Sequence, residues 1–133
     1  MIGIKTSNIQ TVYHASNHLF DKPDIEMIQK NRVHHENGML GLFFSTTNDK
    51  WFHGFGKNIY SITIPEHFKP LVMTLRDFRY LSSAGENDHM DYFSYHRQDL
   101  LDKGVDYILV EEYDGSCGMG VFINLDIDMR LQK

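Results

Sequence analysis

Hydrophobic and polar residues alternate along much of this chain, and the pattern predicts seven β-strands. The clearest strand is Asn58–Pro65, in which Ile59, Ile62 and Ile64 recur among β-branched and aromatic neighbours. Short apolar runs bounded by turn residues predict the others. The predicted strands are Thr11–Ala15, Gly41–Ser45, Asn58–Pro65, Pro70–Leu75, Asp106–Glu112, Gly120–Leu125 and Ile127–Leu131.

Helical spacing is clearest in Met90–Lys103, where apolar residues recur every three to four positions until Gly104 ends the helix. The shorter predicted helices are Ile25–Ile28, a turn beginning at the N-cap Thr47, and Asp77–Leu81 with Asp77 as its N-cap. No repeat, low-complexity tract or linker interrupts the chain. Strands and helices together predict a single α+β domain over residues 1–133.

A chain of 133 residues is long enough to bury about two-thirds of its unfolded surface. Its 41% hydrophobic and 23% charged residues are ordinary for a soluble globular protein. No run of eighteen apolar residues exists, and Met1–Gln10 lacks the apolar segment of a secretory signal, so neither a membrane span nor secretion is expected. Cys117 is the only cysteine, which fits a reducing, cytoplasmic location.

The formal net charge is −5, and lysine and arginine form no cluster. Binding to nucleic-acid phosphates releases counterions and requires such a cluster, so direct nucleic-acid binding is not expected. Acidic residues instead accumulate in Glu86–Asp91, Asp99–Asp106, Glu111–Asp114 and Asp126–Asp128. An acidic surface can steer a protein onto a basic partner, such as a nucleic-acid-binding protein.

Eight histidines are many for this length and suggest a metal site as one alternative. His34 and His35 are adjacent and cannot easily bind one ion together, and no Cys-x-x-Cys or His-Glu-x-x-His motif exists, so no metal is expected. Cys117 lies near acidic residues, which raise the pKa of a thiol, so it is not expected to act as a nucleophile.

Unusual polar chemistry follows the predicted strand Gly41–Ser45, where Ser45, Thr46 and Thr47 place three hydroxyls in succession before an aromatic cluster at Trp51–Phe55. Hydroxyls at a strand end next to stacking surfaces suit a flat, amide-bearing ligand. The same residues also fit a core strand that ends in a helix N-cap, with the aromatic side chains packed in the core. The pattern alone leaves both interpretations open.

Three short motifs occur in order, and they are Tyr13-His14-Ala15-Ser16, Gly41-Leu42-Phe43-Phe44-Ser45 and Gly104-Val105-Asp106. They resemble the aromatic-His-Gly-Ser/Thr, Gly-x-Tyr/Phe-Phe-Ser/Ala and Gly-Tyr/Phe-Asp motifs in the His-Tyr-Glu branch of the ADP-ribosyltransferase superfamily. The run Glu111-Glu112-Tyr113-Asp114-Gly115-Ser116 is similar to that of small phage anti-CRISPR ADP-ribosyltransferases. Ala15 stands where the family has glycine, and Gly118 or Met119 stands where many members carry glutamate.

The resemblance implies split antiparallel β-sheets with short helices that bind NAD between them, in an ADP-ribosyltransferase-like fold. It implies Glu112, with Glu111 as second choice, as the carboxylate that stabilises positive charge at the ribose while the nicotinamide bond breaks. His14 would donate to a ribose hydroxyl, the Ala15 backbone would hold the nicotinamide amide, and Ser45 would bind its oxygen. Further implied NAD contacts are Ser16, Phe44, Thr46, Arg32 toward the pyrophosphate, and Trp51, Phe52 or Phe55 stacked on the nicotinamide ring.

The predicted function is transfer of ADP-ribose from NAD to a host or defence-system macromolecule, as by an anti-CRISPR effector of a phage. The expected target is a protein, for example in a nucleic-acid-binding complex. The alternative is an inactive member of the fold that inhibits a basic, nucleic-acid-binding partner through its acidic surface. In that case Glu111-Glu112 is a solvated hairpin shoulder, His14 an ordinary half-buried histidine, and Ser45 a hydroxyl bonded to local backbone.

Overall fold

The computed structural model describes residues 9–17, 19, 22–24, 26, 41–48, 56–78 and 97–132. Its strands are β1 (Thr11–Ser16), β2 (Leu42–Ser45), β3 (Asn58–Thr63), β4 (Pro70–Thr74), β5 (Tyr107–Glu111), β6 (Cys117–Phe122) and β7 (Met129–Leu131). Residues 75–78 and 97–102 are helical. Each strand overlaps one that the hydrophobic pattern predicts, and the α+β class is confirmed.

The strands form one sheet in the order β4-β5-β6-β2-β1-β3-β7. β4 and β5 are parallel, and all other neighbours are antiparallel. The arrangement differs from the predicted split antiparallel sheets in being one sheet and in containing a parallel pair. Parallel neighbours need a long crossover connection, and the chain between β4 and β5 provides one that includes the helical residues 75–78 and 97–102.

The sheet is nevertheless weakly joined between β1 and β2. β1 and β3 share six registered pairs and β2 and β6 share four, whereas β1 and β2 share only Tyr13↔Ser45. Two well-paired blocks, β4-β5-β6-β2 and β1-β3-β7, therefore meet at one residue pair. We call this place the β1–β2 junction.

Alternation along the strands divides the core between the two faces of the sheet. One cluster of buried residues includes Val12, Leu42, Phe44, Ile62, Leu109 and Phe122. The other includes Phe78, Ile108, Val110, Val121 and Ile123, with Leu100 and Leu101 of the helical residues 97–102 packed against it. Both faces of the central strands are thus covered, which explains why β5 and β6 are apolar at consecutive positions.

β6 begins at Cys117, three residues earlier than the sequence predicts, because two glycines weaken its strand pattern. Gly120 is required by close packing: a Cβ there would overlap the Ile108 carbonyl and the Phe44 ring. Gly118 lies where the β5–β6 register shifts, with Val110 opposite Met119 and Glu111 opposite Cys117. Glycine inside a strand often marks such a bulge or close approach.

The helical residues 75–78 are capped by Thr74 and not by Asp77, so the predicted cap is wrong. The Asp77 amide donates to Thr74 Oγ1 at 3.1 Å, which places Thr74 at the N-cap and Asp77 in the first turn. Both residue types favour helix N-termini, but a carboxylate in the first turn acts on the helix dipole without capping it. The sequence alone did not separate these two positions.

Most of the predicted helix Ile25–Ile28, the helix after Thr47 and residues 90–96 of the longest predicted helix lie outside the described residues. Gly104 has a φ of +79° after the helical residues 97–102, as expected of a C-terminal stop. Within the described ranges, no helix is long and apolar enough to cross a membrane.

Replacing Gly120 by alanine should destabilise the fold by about 2–3 kcal/mol, because the added methyl group overlaps a backbone carbonyl and a core ring. Gly118→Ala is the matched control, since the nearest atom to its added Cβ is Glu112 Oε1 at 3.4 Å. Urea unfolding of both variants measures the difference. Equal losses of unfolding free energy would contradict the packing described for Gly120.

Candidate functional site

His14 lies where the registered pairing between β1 and β2 ends. Beyond Tyr13↔Ser45 the two strands share no registered pair, and His14 Nδ1 bonds instead to the backbone oxygen of Phe43 in β2 at 2.5 Å. A carbonyl oxygen only accepts hydrogen bonds, so Nδ1 carries the proton in this bond. The imidazole thus extends the β1–β2 junction through a side chain.

Burial lowers the pKa of His14 from its ordinary 6.5 to about 4, and the bond to Phe43 opposes the shift only in part. His14 is therefore neutral at pH 7. Because Nδ1 holds the single proton, any hydrogen bond made at Nε2 is an accepted one. Toward a ribose hydroxyl His14 would accept, not donate as the family resemblance implies.

The Ser45 hydroxyl is bonded within its own turn. Ser45 is 2% exposed, and its Oγ donates to the Thr47 oxygen at 2.7 Å and accepts from the Thr47 amide at 3.2 Å. This is the alternative role for Ser45, a hydroxyl that bonds to the local backbone. Since Ser45 pairs with Tyr13, alternation directs the side chains of Ser45 and His14 to opposite faces of the sheet. Phe44 shares the face of His14.

Thr46 connects the end of β2 to the start of β6. Its Oγ1 donates to the Cys117 oxygen at 2.7 Å, and its amide donates to the Gly118 oxygen at 3.1 Å. Thr46 is 1% exposed. Two of the three consecutive hydroxyls, those of Ser45 and Thr46, therefore donate to backbone oxygens.

The acidic pair sits at the β5–β6 hairpin. Glu111 is the last residue of β5 and is half-buried. Glu112 follows the strand and is exposed. The Glu112 amide donates to the Ser116 oxygen at 2.8 Å, and the Glu112 oxygen accepts from the Gly115 amide at 3.0 Å. The Glu112 carboxylate lies next to Gly118, whose ideal Cβ would be 3.4 Å from Glu112 Oε1. Glu112 thus has a fixed backbone and a carboxylate beside the sheet.

The tip of the hairpin is ordered by local bonds and presents an exposed aromatic ring. Asp114 Oδ1 accepts from the Ser116 amide at 3.0 Å and from the Ser116 hydroxyl, and these bonds lower the pKa of Asp114. Gly115 has a φ of +81°, as the predicted turn requires. Tyr113, between the two acidic residues, is 99% exposed.

The acidic segments predicted from the sequence do not form one patch. Glu111–Asp114 and Asp126–Asp128 lie beyond opposite ends of β6, roughly 20 Å apart for a six-residue strand. Asp99 pairs with Lys103 at 3.0 Å. The Asp106 carboxylate makes hydrogen bonds within the fold, accepting from the Lys69 amide at 2.7 Å and from Asn124 Nδ2 at 3.0 Å. Glu86–Asp91 lies outside the described residues.

The predicted NAD contacts are spread along one sheet. His14 and Phe44 lie on the neighbouring strands β1 and β2, whereas the Glu111-Glu112 pair lies at the end of β5, three strands from β1. Ala15 is buried and paired with Ile59, and Ser16 is half-buried. Arg32, Trp51, Phe52 and Phe55 lie outside the described residues. The assignment of these residues to NAD stays a prediction.

Sequence reasoning missed the backbone groups and glycines that shape this region. The Phe43 oxygen holds His14, and a Cβ on Gly56 would overlap the backbone of Ser16 at the end of β1. The Gly118-Met119-Gly120 spacing within a strand was the available signal for a bulge and close packing. Among the described residues, no three His, Cys, Asp or Glu side chains group closely enough to hold a metal ion.

Comparison with known proteins gives a likeness of fold. The chain is similar to a solved structure described as the crystal structure of an anti-CRISPR protein, with a TM-score of 0.51 and 13% sequence identity. The match covers 92% of this chain and 94% of that one. No family model and no curated protein matches the sequence. At this identity the likeness shows that the two chains share a fold.

The neutral His14 makes a testable contribution to stability. The unfolded chain binds a proton at this residue near pH 6.5 and the folded chain only near pH 4, so stability falls as the pH drops through this window. His14→Asn keeps a donor near Nδ1 but cannot titrate. Between pH 7.5 and 4.5 the wild type should lose about 2–3 kcal/mol more unfolding free energy than the variant.

Urea unfolding at the two pH values measures this difference, and the carboxylates that titrate in the same range are common to both proteins. Equal losses in the wild type and His14→Asn would show that His14 is not held neutral by burial.

Proposed function

We propose that this protein is a phage counter-defence effector that transfers ADP-ribose from NAD to a defence-system protein. The observation that best supports the proposal is the Glu112 carboxylate, which lies beside Gly118 on a backbone fixed by turn hydrogen bonds. The order of the motifs supplies the resemblance to ADP-ribosyltransferases. The fold likeness to an anti-CRISPR protein independently favours the same class of biological role.

In this proposal NAD is the substrate, and its nicotinamide ribose lies near Glu112. The bond between ribose and nicotinamide breaks with its electron pair leaving on nicotinamide, while a nucleophile of the target protein bonds to the ribose carbon. The Glu112 carboxylate stabilises the positive charge that develops on the ribose and takes the proton that the acceptor loses.

Glu112→Gln tests the enzymatic proposal because it removes the charge and keeps the shape. The wild type should be stabilised thermally by millimolar NAD and should release nicotinamide, since a ligand that binds the folded state raises its stability. Nicotinamide release should fall on the order of 100- to 1,000-fold in Glu112→Gln. Glu66→Gln, the same change at an exposed residue of the turn after β3, is the control.

The absence of both an NAD-dependent thermal shift and nicotinamide release in the wild type would refute NAD-dependent transfer. Full activity of Glu112→Gln would instead move the catalytic role to another residue, with Glu111 the next to test.

A second candidate function is inhibition by binding alone, and the hairpin tip favours it. Tyr113 is 99% exposed between Glu112 and Asp114 on a turn fixed by its own hydrogen bonds. An exposed tyrosine with acidic neighbours suits a basic surface, where an arginine can stack on the ring. Because the turn bonds of Glu112 involve its backbone, side-chain changes at 112 and 113 leave the turn in place.

Plating of phage on a CRISPR-immune host separates the two mechanisms without knowledge of the target. If binding alone inhibits the target, Tyr113→Ala should lower the efficiency of plating by tenfold or more. The efficiency of plating with Glu112→Gln should stay within about threefold of the wild-type value. Loss of plating in Glu112→Gln, with Tyr113→Ala active, would exclude this second candidate. Circular dichroism melts of both variants control for folding.

A further inference from the structure

The start of β6 contains one extra residue relative to β5. Val110 pairs with Met119 and Glu111 pairs with Cys117, so Gly118 has no counterpart on β5. A bulge of this kind bends the strand and changes the direction of nearby side chains, and bulges are frequent beside active sites. Here it lies directly across from the end of β5, where the acidic pair begins.

Thr46 holds both carbonyl groups of this bulge from the neighbouring strand. Its hydroxyl donates to the Cys117 oxygen at 2.7 Å and its amide to the Gly118 oxygen at 3.1 Å. The hydroxyl bond joins residues 71 positions apart in the sequence. At 1% exposure Thr46 is shielded from water, so the loss of its hydroxyl would leave a buried carbonyl with one partner fewer.

Gly118 connects the bulge to the acidic residue. The absence of a side chain at Gly118 leaves the space beside which the Glu112 carboxylate lies, 3.4 Å from the position of an ideal Cβ. A shift of the bulge moves Gly118 relative to this carboxylate. The contacts therefore run from Thr46 through Cys117 and Gly118 to Glu112.

We propose that Thr46 is a positioning residue for Glu112, acting through the bulge at Gly118. The sequence grouped Thr46 with the residues that contact NAD, whereas the structure gives its hydroxyl to the Cys117 oxygen. The catalytic consequence rests on the proposed function, but the positioning itself can be measured without NAD.

Thr46→Val and Thr46→Ser test the positioning directly. Valine keeps the shape and the amide but loses the hydroxyl, and serine retains the hydroxyl. The nuclear Overhauser effect between the Glu112 γ protons and the Gly118 α protons should be at least halved in Thr46→Val and restored in Thr46→Ser. Thr63→Val, the same change at an exposed residue of β3, is the control. An unchanged signal in Thr46→Val, or no recovery with serine, would overturn the proposal.

If Thr46→Val does not fold, Gly118→Ala tests the proximity of residue 118 to the Glu112 carboxylate instead. Its methyl group has room in the fold and occupies the space beside the carboxylate, so the Glu112 γ-proton resonances should shift while the melting temperature is retained. Unshifted Glu112 resonances in this variant would overturn the proposal.

The activity measurement then relates positioning to catalysis. For Thr46→Val we expect kcat for nicotinamide release to fall on the order of 10- to 100-fold with KM for NAD within about twofold, because a displaced catalytic group affects the chemical step. A rise in KM with unchanged kcat would show that Thr46 contributes to NAD binding and would overturn the positioning role. If the wild type releases no nicotinamide, the proposed function fails, and the nuclear Overhauser measurement still decides the role of Thr46.

Discussion

The bond between His14 Nδ1 and the Phe43 oxygen supplements the one registered pair that joins the two strand blocks of this sheet. Two blocks of strands, each paired over several residues, meet in register only at Tyr13↔Ser45, and the imidazole forms the next connection beyond that pair. The Phe43 carbonyl fixes the proton on Nδ1, and burial keeps the ring neutral. The junction is also the place where the two blocks share the fewest registered pairs.

Local chemistry explains which features of the fold could be predicted. Alternation and turn residues located all seven strands, since burial on one face leaves a period of two in the sequence. The start of β6 is predicted too late because Gly118 and Gly120 weaken the alternating pattern. Gly120 is required by its contacts with Phe44 and Ile108, and Gly118 lies at the register shift with β5, so both depend on residues distant in the chain. The parallel β4–β5 pair depends on how the intervening chain crosses back, which no local pattern encodes.

The candidate site was harder to predict because a hydroxyl has the same appearance in sequence whatever it bonds to. Ser45 bonds two residues away, and Thr46 bonds 71 residues away, yet both belong to one run of three hydroxyls. The sequence predicts His14 in the first strand, where it lies, but the position of its proton follows from the Phe43 carbonyl, which only the strand order reveals. Long-range backbone contacts thus decided the roles that residue types left open.

The two candidate functions make different demands on Glu112. A transferase needs the carboxylate held in place beside the sheet, and freedom at this side chain would lower the rate. An inhibitor that acts by binding needs Tyr113 directed outward, and it gains little from order at the Glu112 side chain. The bulge at Gly118, with Thr46 bonded to both of its carbonyls, fixes the backbone beside Glu112, whose own side chain is exposed. The two proposals are therefore separated by whether this ordered bulge also orders the carboxylate.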